Sequence, residues 1–217
     1  MRILLADDHK MMRDGLRAII AQEEGFDVVG EAANGHEAVA LARRLKPQVV
    51  IMDISMPELN GIDATRRMLA DRPSLKVFAV SMNSDRNSVL QMFAAGAVGY
   101  LLKSCAADEL LFALKAVAQG HKYVSPKVTG IMVDQLTGAH AGEDKPGGGG
   151  PRALSSRERE VLQLVAEGKS TKEISECMHI AVATVDTHRR QIMDKLGLRT
   201  VAELTKYAVR EGLTSLS

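Results

Sequence analysis

Five polar side chains each close an apolar run: Asp7 and Asp8 follow RILLA, Asp53 follows VVIM, Ser81 ends KVFAV, and Lys103 follows GYLL. Gathered on one rim, three carboxylates repel one another unless a proton or a cation lies between them. An all-oxygen set with few protein ligands suits Mg²⁺, which keeps several of its waters. A carboxylate can also attack phosphorus and form an aspartyl phosphate, once the repulsion between the two anions is cancelled. Mg²⁺ and the Lys103 ammonium would cancel it, and the Ser81 hydroxyl would donate to a phosphoryl oxygen. These residue types point to phosphoryl acceptance at Asp53. His9 lies beside the acids, but in so oxygen-rich a site its imidazole is expected outside the metal's ligands or exposed.

Positioning these groups takes a sheet. Segments 2–6, 27–31, 48–53, 76–81 and 98–102 are rich in β-branched or aliphatic residues, and helical patterns separate them. Met12, Leu16, Ile19 and Ile20, for example, recur at the spacing of a helix face that packs on a sheet. Segment 48–53 is apolar almost throughout, as a strand covered on both faces must be. Right-handed crossovers then give an α/β, flavodoxin-like, doubly wound domain with five parallel strands. Ligands of such sheets gather beyond the C-terminal ends of the strands, where all five polar residues fall.

Periodicity weakens after Gly120, with a weakly helical stretch over 128–136, and is lost in TGAHAGEDKPGGGGPRA. Four successive glycines offer no side chain to bury and much entropy to lose, so residues 137–152 are expected to be a flexible linker. Beyond it the pattern is helical only. Ser155 with Glu158 and Ser170 with Glu173 fit capping boxes, and Gly168 and Gly197 sit where helices end. Helices are predicted over 156–166, 171–178, 182–196 and 200–211. The organisation predicted is a domain over 1–122, a linker with a short helix over 123–152, and an all-α domain over 153–217.

Composition excludes several classes. The 217 residues are 25% charged and 46% hydrophobic, no apolar run approaches the ~20 residues that span a bilayer, and no signal peptide opens the chain, so a cytoplasmic protein is expected. Cys105 and Cys177 fall in different domains and are expected to be reduced structural thiols. Residues 151–217 carry 11 Lys and Arg against 9 Asp and Glu, a net +2 that by itself does not point to nucleic acid.

ADDH after the first strand, DISMPELNGID after the third, the serine of the fourth and GYLLK at the fifth together resemble the receiver domain of two-component response regulators. The resemblance implies that a sensor histidine kinase phosphorylates Asp53. It further implies that Asp8 ligates Mg²⁺ directly, that Asp7 acts mainly through water, and that the Ser55 backbone carbonyl completes the ligands with Asp53. Ser81 and Lys103 would bind the phosphoryl group, and Tyr100 would be the ring that turns inward when Ser81 moves. Pro57 restricts the loop after Ser55, and Gly61 is expected to serve a tight turn into the next helix. A phosphatase of the haloacid-dehalogenase type would want a second acid two residues after its nucleophile. Ser55 stands there instead. No G-x-G-x-x-G or P-loop supports a nucleotide enzyme, so the chain is read as a switch rather than an enzyme.

LSSREREVLQLVAEGKSTKEI and ATVDTHRRQIMDKLG resemble the LuxR-type helix-turn-helix domain, in the family that includes the NarL and FixJ regulators. That implies a helix over 182–196 in the major groove of promoter DNA. Val185, Ile192 and Leu196 form its inward stripe, and Asp186, Thr187, Arg190 and Asp194 share the opposite face. Arg190 would reach guanine or phosphate, and Lys172, Thr184, Arg189 and Lys195 suit phosphates by type. Asp186 would accept from cytosine or orient Arg190. Ala181 leaves this helix without a hydroxyl cap. A homodimer on paired half-sites is implied for the active form, and RNA polymerase is left open as a further partner.

Overall fold

The computed structural model describes residues 1–82, 85–136 and 154–214. The chain divides into two compact units, each with its own apolar core. Of the predicted linker over 123–152, residues 137–152 lie outside the described residues, and 123–136 hold a short strand and a helix that belong to the first unit.

The first unit alternates strand and helix: β1 (Arg2–Ala6), α1 (Lys10–Ile20), β2 (Asp27–Ala32), α2 (Gly35–Leu45), β3 (Val49–Asp53) and α3 (Gly61–Asp71). It continues through β4 (Lys76–Ser81), α4 (Arg86–Ala94), β5 (Gly99–Leu102), α5 (Ala107–Ala118), β6 (Tyr123–Val124) and α6 (Pro126–Leu136). The strands are parallel in the order β2-β1-β3-β4-β5-β6. The expected five strands are thus six. Two residues carry no period to read, and β6 exists through its pairing with Gly99 and Tyr100 of β5.

Apolar burial sets this sheet. Leu16 and Ile20 of α1 and Leu110, Leu114 and Val117 of α5 pack on Ile3, Leu5, Ile51, Phe78, Val80 and Leu101. All five residues of β3 are buried, which explains its unbroken apolar run. Each such side chain contributes ~1.5–3 kcal/mol, enough together to hold a costly charged rim at the strand ends. Register levels those ends: Ala6 is beside Met52, Asp53 beside Val80, and Ser81 beside Leu102. Local capping starts three of the helices, where the side chains of Asn34, Asn60 and Asp85 accept from the N–H groups of Glu37, Asp63 and Ser88.

The second unit comprises α7 (Ser156–Ala166), α8 (Thr171–Met178), α9 (Val182–Leu196) and α10 (Val201–Arg210). Both predicted capping boxes are closed, and Thr200 with Glu203 makes a third at α10. Ala181 begins α9 with no side-chain cap, and Gly197 ends it at φ +68°. Val161, Leu162, Leu164, Ile174, Val185, Ile192, Leu204 and Ala208 fill the core.

Candidate functional site

The ends of β1, β3, β4 and β5 bring the predicted receiver residues to one place. Lys103 Nζ lies 2.6 Å from Asp7 Oδ2 and 2.8 Å from Asp53 Oδ2, so one ammonium bridges two carboxylates. All three side chains are nearly sealed from solvent, with 2–3% exposure. Lys103 is therefore no surface charge. Its backbone N–H also donates to the Ser81 carbonyl, which fixes where the side chain begins.

Asp53 has both oxygens engaged: Oδ1 accepts from the Ser55 N–H at 3.3 Å, and Oδ2 accepts from Lys103. Burial pushes its carboxyl up to about 6, with the Asp7 charge adding to the rise and Lys103 holding it back. Burial also works against the Lys103 ammonium, but the Asp53 and Asp7 carboxylates outweigh it and keep its pKa above the ordinary lysine value. The site thus rests on an internal ion triad rather than on solvent.

Asp8 is more open, with 29% side-chain exposure, and Oδ1 sits 2.7 Å from His9 Nδ1. His9 is 68% exposed, and its backbone N–H donates to Asp7 Oδ1 at 2.9 Å. Ligand atoms of Asp7, Asp8, His9 and Asp53 all lie within 4.8 Å of one another. Three converging carboxylates fit a hard divalent cation, and the arrangement is an acidic site of the phosphoacceptor type.

Tyr100 is wholly buried. Its hydroxyl shares a hydrogen bond with Ser81, its ring is 6.4 Å from that of Phe93, and burial foremost pushes its pKa up to about 12. The ring stands inward here, already in reach of the hydroxyl at the rim.

Gly61 departs from its expected role. The loop's left-handed residue is Glu58, at φ 68°, and Gly61 is the first residue of α3 with no positive φ. Its requirement is steric. A Cβ at Gly61 would overlap the Asp53 carbonyl oxygen and come within 2.9 Å of the carbonyl carbon and 3.0 Å of Ile54 Cα. The Gly61 N–H donates to the Ile54 carbonyl at 2.9 Å, holding the helix start against the strand end.

Arg13 escaped notice in the sequence. Its Nη1 donates to the Asp7 carbonyl at 2.6 Å and its Nε meets Glu31 Oε2 at 3.3 Å, while Arg17 Nη1 holds Glu31 Oε1 at 2.9 Å. The arginines thereby brace the loop that carries both β1 acids. The available signal was an arginine pair four apart on α1 and an acid within β2.

In the helical unit, Val185 and Ile192 face inward and Leu196 packs against the core. Lys172, Thr184, Asp186, Thr187, Arg190 and Asp194 are exposed. Thr187 Oγ1 donates back to the Ala183 carbonyl at 2.9 Å. Arg190, Met193, Asp194, Gly197, Leu198 and Arg199 line an open groove at the end of α9. Two of the bases expected on phosphate are engaged inside the unit: Arg189 Nη1 donates to Thr171 Oγ1 at 3.0 Å, and Lys195 Nζ pairs with Glu158 Oε2 at 2.8 Å.

A parallel sheet with an acid triad at its strand ends, followed by a helix-turn-helix unit, defines a response regulator: a phosphorylation switch joined to a DNA-binding domain. Family models agree. Residues 3–115 match the response regulator receiver domain, and residues 152–208 match the bacterial regulatory proteins of the luxR family. The transcriptional regulatory protein MctR of Rhizobium johnstonii is 37% identical over 99% of this chain and 95% of its own length. The oxygen regulatory protein NreC of Staphylococcus carnosus is 36% identical over 98% of this chain and 99% of its own. Among solved structures, the RcsB–DNA complex is 27% identical with a TM-score of 0.59, covering 97% of this chain and 98% of that one. The chain belongs to the LuxR-type two-component response regulators of the NarL/FixJ family, a family of transcription regulators rather than enzymes. Among the described residues, no helix is long and apolar enough to cross a membrane.

Proposed function

We propose that Asp53 accepts a phosphoryl group from a sensor histidine kinase in the cytoplasm, and that this event controls binding of the helical unit to promoter DNA. One observation carries the reading: a lysine sealed between Asp7 and the strand-end Asp53. Asp7, Asp8, Asp53 and the Ser55 backbone carbonyl would hold Mg²⁺, which when bound supplies positive charge to the incoming phosphoryl oxygens. The Asp53 carboxylate attacks phosphorus, its new O–P bond forming as the bond to the donor's histidine or acyl oxygen breaks. Lys103 leaves its carboxylate partners for a phosphoryl oxygen, and Ser81 turns its hydroxyl to another. That hydroxyl is the one Tyr100 shares. Movement of Ser81 therefore reaches the buried ring and, through it, Phe93 of α4.

On DNA, α9 would enter the major groove with Arg190, Asp186 and Thr187 on the face towards the bases, and with Lys172, Thr184 and Arg189 near the backbone. A structure of two RcsB dimers bound to two parallel DNAs supports a homodimer as the active form here. Acetyl phosphate with Mg²⁺ is expected to label the wild-type chain and to leave Asp53→Ala unlabelled; label persisting on the variant would overturn the acceptor assignment.

Titration gives a second expectation. In the metal-free protein the Asp53 carboxyl should titrate near pH 6, well above its ordinary 3.8. The folded chain then binds this proton more tightly than the unfolded one. Its contribution to stability is fullest below about pH 4 and is lost as pH rises through 6. Carbonyl ¹³C NMR of Asp53 against pH reads it directly, and Mg²⁺ should move the midpoint down. A metal-free midpoint near 4 would contradict the burial account.

A further inference from the structure

Lys195 stands in the last turn of α9, and its type alone suggests a phosphate contact. Its ammonium instead lies 2.8 Å from Glu158 Oε2, and that carboxylate is 4% exposed. The same oxygen accepts the Ser155 N–H at 2.7 Å, closing the box that starts α7. Lys195 and the hydrogen bonds from Ser155 hold the Glu158 carboxyl below its usual range although burial would raise it. A single carboxylate oxygen thus caps one helix and grips the far end of another. Near the middle of α9, Arg189 is tied to Thr171 in the first turn of α8. The recognition helix is therefore fastened at two points by its own bases.

We propose that Lys195 is a positioning residue, which sets the seat of α9 on α7 through Glu158 and makes no phosphate contact. This rests on the reading of α9 as the DNA-entering helix. Coulomb attraction in a partly sealed site exceeds what a solvated lysine gains elsewhere. Removing Lys195 also leaves the sealed Glu158 carboxylate without its cation, which is costly. The angle at which Arg190 and Asp186 are presented then depends on an ion pair behind the helix, out of the groove.

Glu158→Gln separates this from the alternative, because glutamine still closes a capping box while the charge on Lys195 remains. On the clamp reading, Glu158→Gln and Lys195→Met each weaken binding to a DNA site selected by the wild-type full-length chain, by roughly tenfold, and the double variant loses little more than either alone. The dependence of log affinity on log salt keeps its wild-type slope in all three. A phosphate contact predicts otherwise. Glu158→Gln would then keep or raise affinity, and Lys195→Met would lower the salt slope by about 0.9; either result overturns the clamp. Amide hydrogen exchange along residues 182–196 gives a measure without DNA, expected to quicken in Glu158→Gln, and unchanged exchange would also overturn it. Failure of the wild-type chain to select any DNA would overturn the DNA-binding reading and leave the exchange measurement to judge the clamp.

Discussion

Gly61→Ala is expected to destabilise the chain by about 3 kcal/mol or more and to cut acetyl phosphate labelling of Asp53 at least tenfold. Overpacking a well-filled core usually costs 1–3 kcal/mol because side chains can give way. Here the obstacle is backbone. The new methyl group would overlap the carbonyl oxygen of the acceptor itself and press on its carbonyl carbon and on Ile54 Cα. Relief requires β3 and the start of α3 to part, which breaks the Gly61 to Ile54 hydrogen bond and moves Asp53 away from Lys103. A shift of even one ångström in a reacting group costs much of its reactivity. Urea unfolding and labelling with radioactive acetyl phosphate would show both effects. A variant with wild-type stability and labelling would refute the steric role.

Lys103→Met should have an effect of similar size for a different reason. Methionine fills the same space but leaves Asp7 and Asp53, both under 4% exposed, facing each other without a cation. Breaking a buried ion pair from one side costs about 3–5 kcal/mol. The Asp53 carboxyl would rise further still, since Lys103 is the main influence holding it down from a value already near 6. Each unit that its pKa lies above the working pH removes about nine-tenths of the nucleophilic carboxylate. The stability lost at pH 7 should return in part at pH 5, where one acid takes up a proton, or on adding Mg²⁺. Labelling at pH 7 should fall by tenfold or more. Equal stability at both pH values would mean that the ammonium does not carry the charge balance of the rim.

Much of this site was legible because strand ends are legible. Apolar runs stopped at Asp7, Asp53, Ser81 and Lys103, and in a parallel sheet those stops share an edge. The capping boxes of α7 and α8 were equally plain, since both halves lie three residues apart. What stayed hidden depends on partners remote in sequence. Lys195 and Glu158 are 37 residues apart, and Arg13 reaches Glu31 across 18. No spacing rule connects them. Strand β6 is not legible in the sequence because two residues show no alternation. Gly61 by its type suggests a turn, whereas the demand for it comes from the close approach of two elements that only the fold brings together.

The two-sided grip on Asp53 bears on how the acceptor can be imitated. Its Oδ1 receives the Ser55 N–H and its Oδ2 receives the Lys103 ammonium. Asparagine matches the shape of aspartate, but its amide has one accepting end and one donating end. Whichever way it is placed, an NH₂ group confronts either the Ser55 N–H or Lys103, and Asp7 must balance the ammonium alone. An isostere in this position is therefore no neutral stand-in for the resting state: it silences the chemistry and also loosens the lysine.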